Sequence, residues 1–509
     1  MKKLYPLLAL AQLFSLSVFA QLDITFNGTG RTSAAIGSSS NGQTMLIQPA
    51  DNYIVVAGDY LLGSTFGAGL VRYTKDGVLD PNFGFGGRVV LPFNQAYDIV
   101  SMGIQSNGSI IVCFEITLGN EQDFPVLVRV TNTGQVDYGF SSTGYIKLNV
   151  TTVHSLLVQA DDKIVVGCDD WMIARYSKDG VADPSFGTAG VFELPGAFGY
   201  VKAMAFESDG SIVATGRGTT NVQTIHLSTK GVWDTKFGTK GISTLTVNNT
   251  DPVNIAGITV IPGGQILLTG SYFPAVTNPT WRYLLAELNG DGTYNLGFAG
   301  NGKLAIPFAN YNATGENAIQ LYEGQIVMAG FVTPVGGGPD KVGLCRVTAN
   351  GAIDNTFGPG GTEITGWSSS KTSVEAYSIA LQAGKIVVGG NLNGAGYMAM
   401  RYLNPIILPP PPVVDATTST VQNSTLSPTD LPLRLYPNPA TQTLNVQGLD
   451  PSATTLLQVV DAAGHAMLAS RSANQTTYTL DISQLPSGTY FLTLSTQTGR
   501  RTVSFVKTR

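Results

Sequence analysis

The sequence predicts an all-β protein: a ring of repeated four-stranded sheets, followed by a small C-terminal β-sandwich. Three observations lead there. The 509 residues include 60 glycines, about 12% against a usual share of roughly 7%, and only 12% Asp, Glu, Lys and Arg against roughly 25%. One short pattern ending in Gly recurs seven times between residues 21 and 403. Between its copies each unit offers four strand-like runs.

Composition alone narrows the class. Gly is costly inside a helix but useful in turns that need positive φ, and low charge leaves few residues to cover solvent-facing helices. With 43% hydrophobic residues and a net charge of -5, the chain can bury a core and is not of the disordered type. A pI near 5.3 supplies no positive field for phosphates, so no nucleic-acid partner is expected.

The first twenty residues read as a leader. Lys2 and Lys3 precede an apolar stretch from Leu4 to Phe19 that ends in Val18-Phe19-Ala20, and small residues there suit cleavage between Ala20 and Gln21. A membrane-anchoring helix is the alternative, with an apolar part shorter than the roughly 20 residues a span needs. No transmembrane segment is expected in the mature chain. Cys113, Cys168 and Cys345 lie in apolar runs and read as buried small hydrophobes. Cys113 and Cys168 stand one register step apart in equivalent runs, so they are expected on opposite sheet faces and not disulfide-bonded.

The repeated pattern reads LDITFNGTG at Leu22, LDPNFGFGG at Leu79, VDYGFSSTG at Val136, ADPSFGTAG at Ala182, WDTKFGTKG at Trp233, YNLGFAGNG at Tyr294 and IDNTFGPGG at Ile353. Its Phe predicts a plug that buries turn surface, and its closing Gly a backbone position at positive φ. The second unit illustrates the runs: GRVVL from Gly87, SMGIQ from Ser101, SIIVCF from Ser109 and VLVRVT from Val126. The third run is continuously apolar, as a strand buried on both faces would be. A period of about 55 residues with four strands per unit sits just above known propeller repeats of roughly 40 to 50. Seven blades are expected. The array opens on a signature and stops where an eighth would be due, so its ends can complete one another and leave no exposed sheet edge. An open solenoid is the alternative.

LDPNFGFGG and IVVAG at Ile54 resemble the delta-60 repeat family over about 380 residues. The resemblance implies a propeller and no defined activity.

Eight residues before the signature Asp stands Arg72, Arg129, Arg175, His226 or Arg346, matched to Asp80, Asp137, Asp183, Asp234 or Asp354. In one unit the position holds Glu287, and its signature partner is Asn295. Cation and anion disappear together, which predicts a structural contact and leaves Arg401 to pair with Asp23 across the ring closure. An anion-binding ring of arginines is the functional alternative.

The two faces obey different rules. Loops between the second and third runs are short and repetitive, as in QSNGS at Gln105, and share a face with the signatures. Loops between the third and fourth runs vary, and variable loops on a rigid frame are where binding resides. They supply candidate ligand contacts for a glycan or protein partner: Tyr60, Phe66, Phe124, Trp171, Tyr272 and Trp281, with Glu115, Asp123, Phe273 and Asp340 beside them. Ordinary loop packing explains the same aromatics.

No catalytic or cofactor motif emerges. Three His, at 154, 226 and 465, form no local metal cluster, and neither HExxH nor CxxC occurs. GNGKLA from Gly300 fits GxGxxA but leads into a strand instead of a helix N-terminus. NGDG at Asn289 has Gly300 where a calcium loop needs Glu. No GxSxG elbow appears. No cofactor, no metal and no enzyme activity are expected, although carboxylates from different blades could still meet at the axis.

After the propeller of 21–403, residues 404–432 are Pro-rich and then Ser/Thr-rich, an extended spacer. Alternating segments then predict a β-sandwich over 433–509. LYPNPA at Leu435, LNV at Leu444, VVDAAG at Val459, LPSGTYFL at Leu485 and TVSFVK at Thr502 resemble the type A C-terminal sorting domain of the type IX secretion system. A generic β-sandwich binding module is the alternative. The resemblance implies that residues 433–509 engage that secretion machinery. It further implies that the cargo is secreted or held at the outer-membrane surface of a Gram-negative, Bacteroidota-type cell. The expected function is a non-catalytic binding or adhesion scaffold, with an extracellular propeller enzyme acting on polysaccharide as the alternative.

Overall fold

Short, apolar, Gly-punctuated runs become antiparallel sheets here because each run turns back on its neighbour through a tight turn. The computed structural model describes residues 20–404 and 434–508, apart from 94–95, 117–122, 142, 220, 248–250, 276–278, 322–323, 368–370, 394, 438–439, 450–454, 462–465, 473–474, 484, 486–487 and 497–498. These residues form two compact units that divide between 407 and 408. The leader expected over 1–20 lies, Ala20 apart, outside the described residues, as does the spacer beyond Asn404.

In the first unit one sheet runs Ala96–Ile104, Ile110–Ile116, Phe124–Val130, Tyr145–Lys147 in order. Four more four-stranded sheets repeat it, with inner strands Val153–Val158, Tyr200–Phe206, Val253–Val260 and Tyr311–Gln320. The remaining sheet has eight strands and divides at a single parallel bridge between Asn41 and Gly396. One half runs from the inner strand Ser39–Ile47 to Arg88–Val90. The other runs from the inner strand Val374–Gln382 to Gly396–Tyr402 and is completed by Arg31–Ala34 from the opposite end of the chain. Each inner strand packs beside the next, and Val374–Gln382 packs beside Ser39–Ile47, so the sheets close into a β-propeller.

Burial follows from that closure. The strands Ile110–Ile116 and Phe124–Val130 are buried almost end to end because blades cover both their faces. Apolar clusters lie between adjacent blades: Val55 and Leu70 of one meet Ile110 and Val112 of the next. The signature residues Phe26, Phe83, Phe140, Phe186, Phe237, Phe298 and Phe357 are all buried plugs. The closing glycines, from Gly30 to Gly361, all sit at positive φ, which an L side chain there would strain.

The paired charges are where the repeats place them. Arg72 Nε donates to Asp80 Oδ2 at 2.8 Å, Arg129 to Asp137 at 2.7 Å, Arg175 to Asp183 at 2.8 Å and Arg346 to Asp354 at 2.7 Å. Each of these guanidinium groups also stands over its signature Phe, Arg72 at 4.3 Å from the ring centre of Phe83. Arg72 Nη1 reaches Asn132 O at 2.5 Å and Arg175 Nη1 reaches Thr229 O at 2.6 Å, so the motif also fastens one blade to the next. In the exceptional unit Asn295 Nδ2 donates to Glu287 Oε1 at 2.6 Å.

The three cysteines are free and buried. Cys113 and Cys168 nevertheless share one apolar cluster. Opposite faces of neighbouring blades look at each other in a ring, so the opposite-face argument places these two residues together and gives no ground against a bond.

In the second unit a three-stranded sheet has the order Arg434–Tyr436, Thr443–Gln447, Thr477–Asp481. A four-stranded sheet has the order Ala466–Ser472, Thr455–Asp461, Gly488–Thr496, Gly499–Lys507. Leu444, Val446, Val459, Leu492 and Phe505 build their shared core.

Candidate functional site

The variable hairpins are more strand than loop. Ile54–Leu62 and Thr65–Tyr73 pair to their ends, so Tyr60 points into the blade and is buried, while Phe66 is 53% exposed. Phe124 starts a strand and is buried, with Lys147 Nζ 3.6 Å from its ring centre. Trp171 is fully buried, and its Nε1 donates across the blade boundary to Arg217 O at 3.0 Å. Tyr272 is buried and its hydroxyl donates to Asp251 Oδ2 at 2.9 Å. Trp281 is half-buried against Phe273, with ring centres 5.2 Å apart. Of the six expected contact aromatics, therefore, four hold blades together and Phe66 and Trp281 stay reachable. At the predicted cleavage site, Ala20 is buried with its amide on Phe357 O at 2.8 Å, and Gln21 O accepts the Leu403 amide at 2.8 Å.

The site that sequence reasoning missed lies on the axis. Every inner strand breaks register at the same place. Gly42 pairs with Gly58 and Thr44 with Ala57, which leaves Gln43 between them unpaired. The same slip leaves Val100, His154, Lys202, Ala256, Glu316 and Tyr377. A bulge re-aims its extra residue, and here the residues so displaced line a channel of about 670 Å³. They lie in the half of each inner strand nearer the variable hairpins.

The glycine repeat is the signal that could have found this ring. Gly58, Gly216, Gly270, Gly330 and Gly390 each stand opposite a bulge. At Gly270 a Cβ would fall 2.1 Å from Asn254 O, so a side chain there would push the bulged strand away. A strand glycine marks a bulge or a close backbone approach.

The channel is polar and carries mixed charge. His154 Nε2 lies 2.7 Å from Asp169 Oδ1, and Gln43 Oε1 accepts the Ile99 amide at 2.8 Å. The Tyr377 hydroxyl donates to Glu375 Oε2. Burial pushes the Glu316 carboxyl up to about 7, with Lys202 drawing it down and Glu375 adding to the rise. Burial also raises Glu375, helped by Asp340 and opposed by the Tyr377 and Asn391 hydrogen bonds. Of the two carboxyls held above the usual carboxylate range, Glu316 lines the channel and Glu375 is bonded to its wall residue Tyr377. Beyond this layer the inner strands turn apolar, with Val260, Ile319 and Ile379 lining a second hollow of about 370 Å³. Among the described residues no group of three or more His, Cys, Asp and Glu could hold a metal, and no helix is long and apolar enough to cross a membrane.

Residues 434–508 match the secretion system C-terminal sorting domain, and residues 50–83, 159–186 and 324–357 match a β-propeller domain of unknown function, DUF5122. YCF48 bound to D1 peptide is 10% identical, with a TM-score of 0.43, over 74% of this chain and 98% of that one. The β-propeller domain of the Trilobed protease from Pyrococcus furiosus is 10% identical, with a TM-score of 0.38, over 72% and 94%. A glucose dehydrogenase is 10% identical, with a TM-score of 0.38, over 62% and 99%. No curated protein matches the chain. The chain carries a β-propeller followed by a secretion sorting domain, and a tail of this kind directs export to the cell surface or beyond.

Proposed function

We propose that this is a seven-bladed propeller, secreted or displayed on the outer-membrane surface, that binds a glycan or protein partner without catalysis through its variable face. Export runs through the type IX machinery by way of residues 433–509. The carrying observation is the contrast between the two ends of the blades. On the signature face the same Arg, Asp and Phe recur and are consumed in holding blades together. On the other face the connecting hairpins differ in length and sequence, and they carry Phe66, which is exposed, and Trp281, which is half-buried. Residues freed from a repeated structural duty are the ones available to a partner. The test is a glycan array probed with the secreted full-length chain. Binding that falls when Phe66 and Trp281 are replaced by Ala supports the proposal; binding indifferent to both replacements sinks it.

One observation favours a second reading, an extracellular enzyme acting on polysaccharide. The Glu316 carboxyl lines the channel with its protonation raised, and Glu375, raised as well, is bonded to the channel residue Tyr377, so two carboxyls of the type that glycoside hydrolysis pairs stand close to one cavity. Release of reducing ends from a polysaccharide panel, lost in Glu316→Gln, would select this reading over the scaffold.

A further inference from the structure

The axial ring contains two opposite charges that do not meet. Lys202 and Glu316 project from corresponding bulges two blades apart, and the blade between them presents Ala256. The other polar members of the ring are already engaged: His154 with Asp169, Gln43 with the Ile99 amide, Tyr377 with Glu375. Lys202 and Glu316 have no side-chain hydrogen bond or ion pair among the described residues, only attraction at a distance across the channel. The Glu316 bulge is also pinned, since its backbone oxygen accepts the Thr269 hydroxyl at 2.6 Å. The bulge that sets Glu316 on the channel wall is therefore fixed in place.

We propose that the channel binds a small zwitterion, one molecule carrying both a carboxylate and an ammonium group. Lys202 takes the carboxylate, Glu316 takes the ammonium, and the ligand's backbone crosses the space that Ala256 leaves. A ligand with one charge cannot do the same. A simple amine would pair Glu316 and leave Lys202 beside a second cation, and a simple acid would do the reverse; each leaves one charge of a half-buried pair without a counter-charge. A zwitterion supplies both partners and leaves the channel's net charge unchanged. The neutral wall groups of Ser101, Ser155, Asn317 and Ser378 can serve the remaining polar atoms of such a ligand. The site is made by strands, so it stands independently of any partner at the hairpins.

Calorimetric titration of the secreted full-length chain tests this with glycine, β-alanine, γ-aminobutyrate and ε-aminocaproate, each against its matched alkylamine and alkylcarboxylate. One length is expected to bind at least about tenfold more tightly than both single-charge analogues, the worth of one charge-assisted hydrogen bond. Lys202→Met should erase the advantage over the amine alone, and Glu316→Gln the advantage over the acid alone. Ala256→Leu leaves both charges in place and fills the gap, so it should abolish binding even where a charge variant fails to fold. No binding by any of the four zwitterions, an analogue that binds equally well, or an Ala256→Leu protein of unchanged affinity would each overturn the proposal. None of these outcomes touches the glycan-array result, which depends on Phe66 and Trp281.

Discussion

Arg401 Nε donates to Asp23 Oδ2 at 2.7 Å and joins residues that lie 378 positions apart. Lys385 Nζ meets the same oxygen at 2.6 Å, Arg401 Nη1 reaches Lys75 O at 2.6 Å, and Arg31–Ala34 pairs beside them with the last sheet. This is the repeated Arg–Asp contact used to lock the two ends of the propeller together. Asp23→Ala leaves Arg401 and Lys385 without their counter-charge and should cost about 3 to 5 kcal/mol. Asp76→Ala removes an exposed partner of Lys75 and should change stability by no more than about 0.5 kcal/mol. Urea denaturation of both variants measures the difference, and equal midpoints would refute the lock.

The same carboxylates fix the acid limb of stability. Burial pushes the Asp183 carboxyl up, but Ser185, Arg175 and Lys163 outweigh it and hold it at about 2 against an ordinary 3.8. Asp23 is likewise raised by burial and carried down to about 2 by Lys385, Thr25 and Arg401. Unfolding lets both take up protons at higher pH than the folded state does. Their stabilisation, about 2 kcal/mol each, is complete above roughly pH 4 and is lost as the pH falls toward 2. Glu316 has the opposite sign: raised from 4.5 to about 7, it weakens the fold as pH climbs through that interval. Thermal melting from pH 2 to 8 should therefore show a steep acid limb that Asp183→Asn flattens and a shallow neutral decline that Glu316→Gln removes.

These contacts were legible in the sequence because seven copies of one short signature act as their own comparison. Wherever Arg72 or its counterparts recur, Asp80 or its counterparts recur, and where Glu287 intrudes Asn295 replaces the acid; covariation within one chain is as informative as contact. The site was not legible for a reason of equal generality. Gln43, Lys202, Glu316 and Tyr377 have nothing in common as residues, and what unites them is a register slip in the backbone. Only the glycines opposite, such as Gly58 and Gly270, carried a trace of it. Alternation marks where a strand can exist but not how far a hairpin extends: Tyr60 sits in a strand that runs on to Leu62, while Trp171 packs into the blade boundary from the turn itself.

Restoring the consensus at Glu287 tests whether the motif is a unit. Burial raises the Glu287 carboxyl, Asn295 offsets this with one hydrogen bond, and Glu287 Oε2 is buried with no hydrogen-bond partner. Glu287→Arg alone would face a neutral Asn295, and Asn295→Asp alone would set two carboxyls together. Both singles should destabilise. The double variant recreates the Arg–Asp pair over Phe298 and should recover the losses, with a coupling of about 1 to 3 kcal/mol in a double-mutant cycle. Additive effects would show that the pairing does not operate as a unit.

Deleting residues 433–509 separates folding from delivery. The described residues already divide into two units, and the sorting unit is internally complete: Gly499–Lys507 pairs along its length with Gly488–Thr496, and Ala440 bridges Lys507. The propeller's last sheet is completed by its own Arg31–Ala34, so ring closure does not draw on the deleted residues. The truncated protein should keep the melting temperature of the propeller transition yet accumulate in the periplasm, as fractionation and surface proteolysis would record. Removing 499–509 instead strips an edge strand from the sorting sheet and should block delivery equally, because the remaining strand Gly488–Thr496 then presents unpaired backbone groups in place of the intact sandwich. Surface delivery unchanged by either deletion would refute the role of this unit as the export signal.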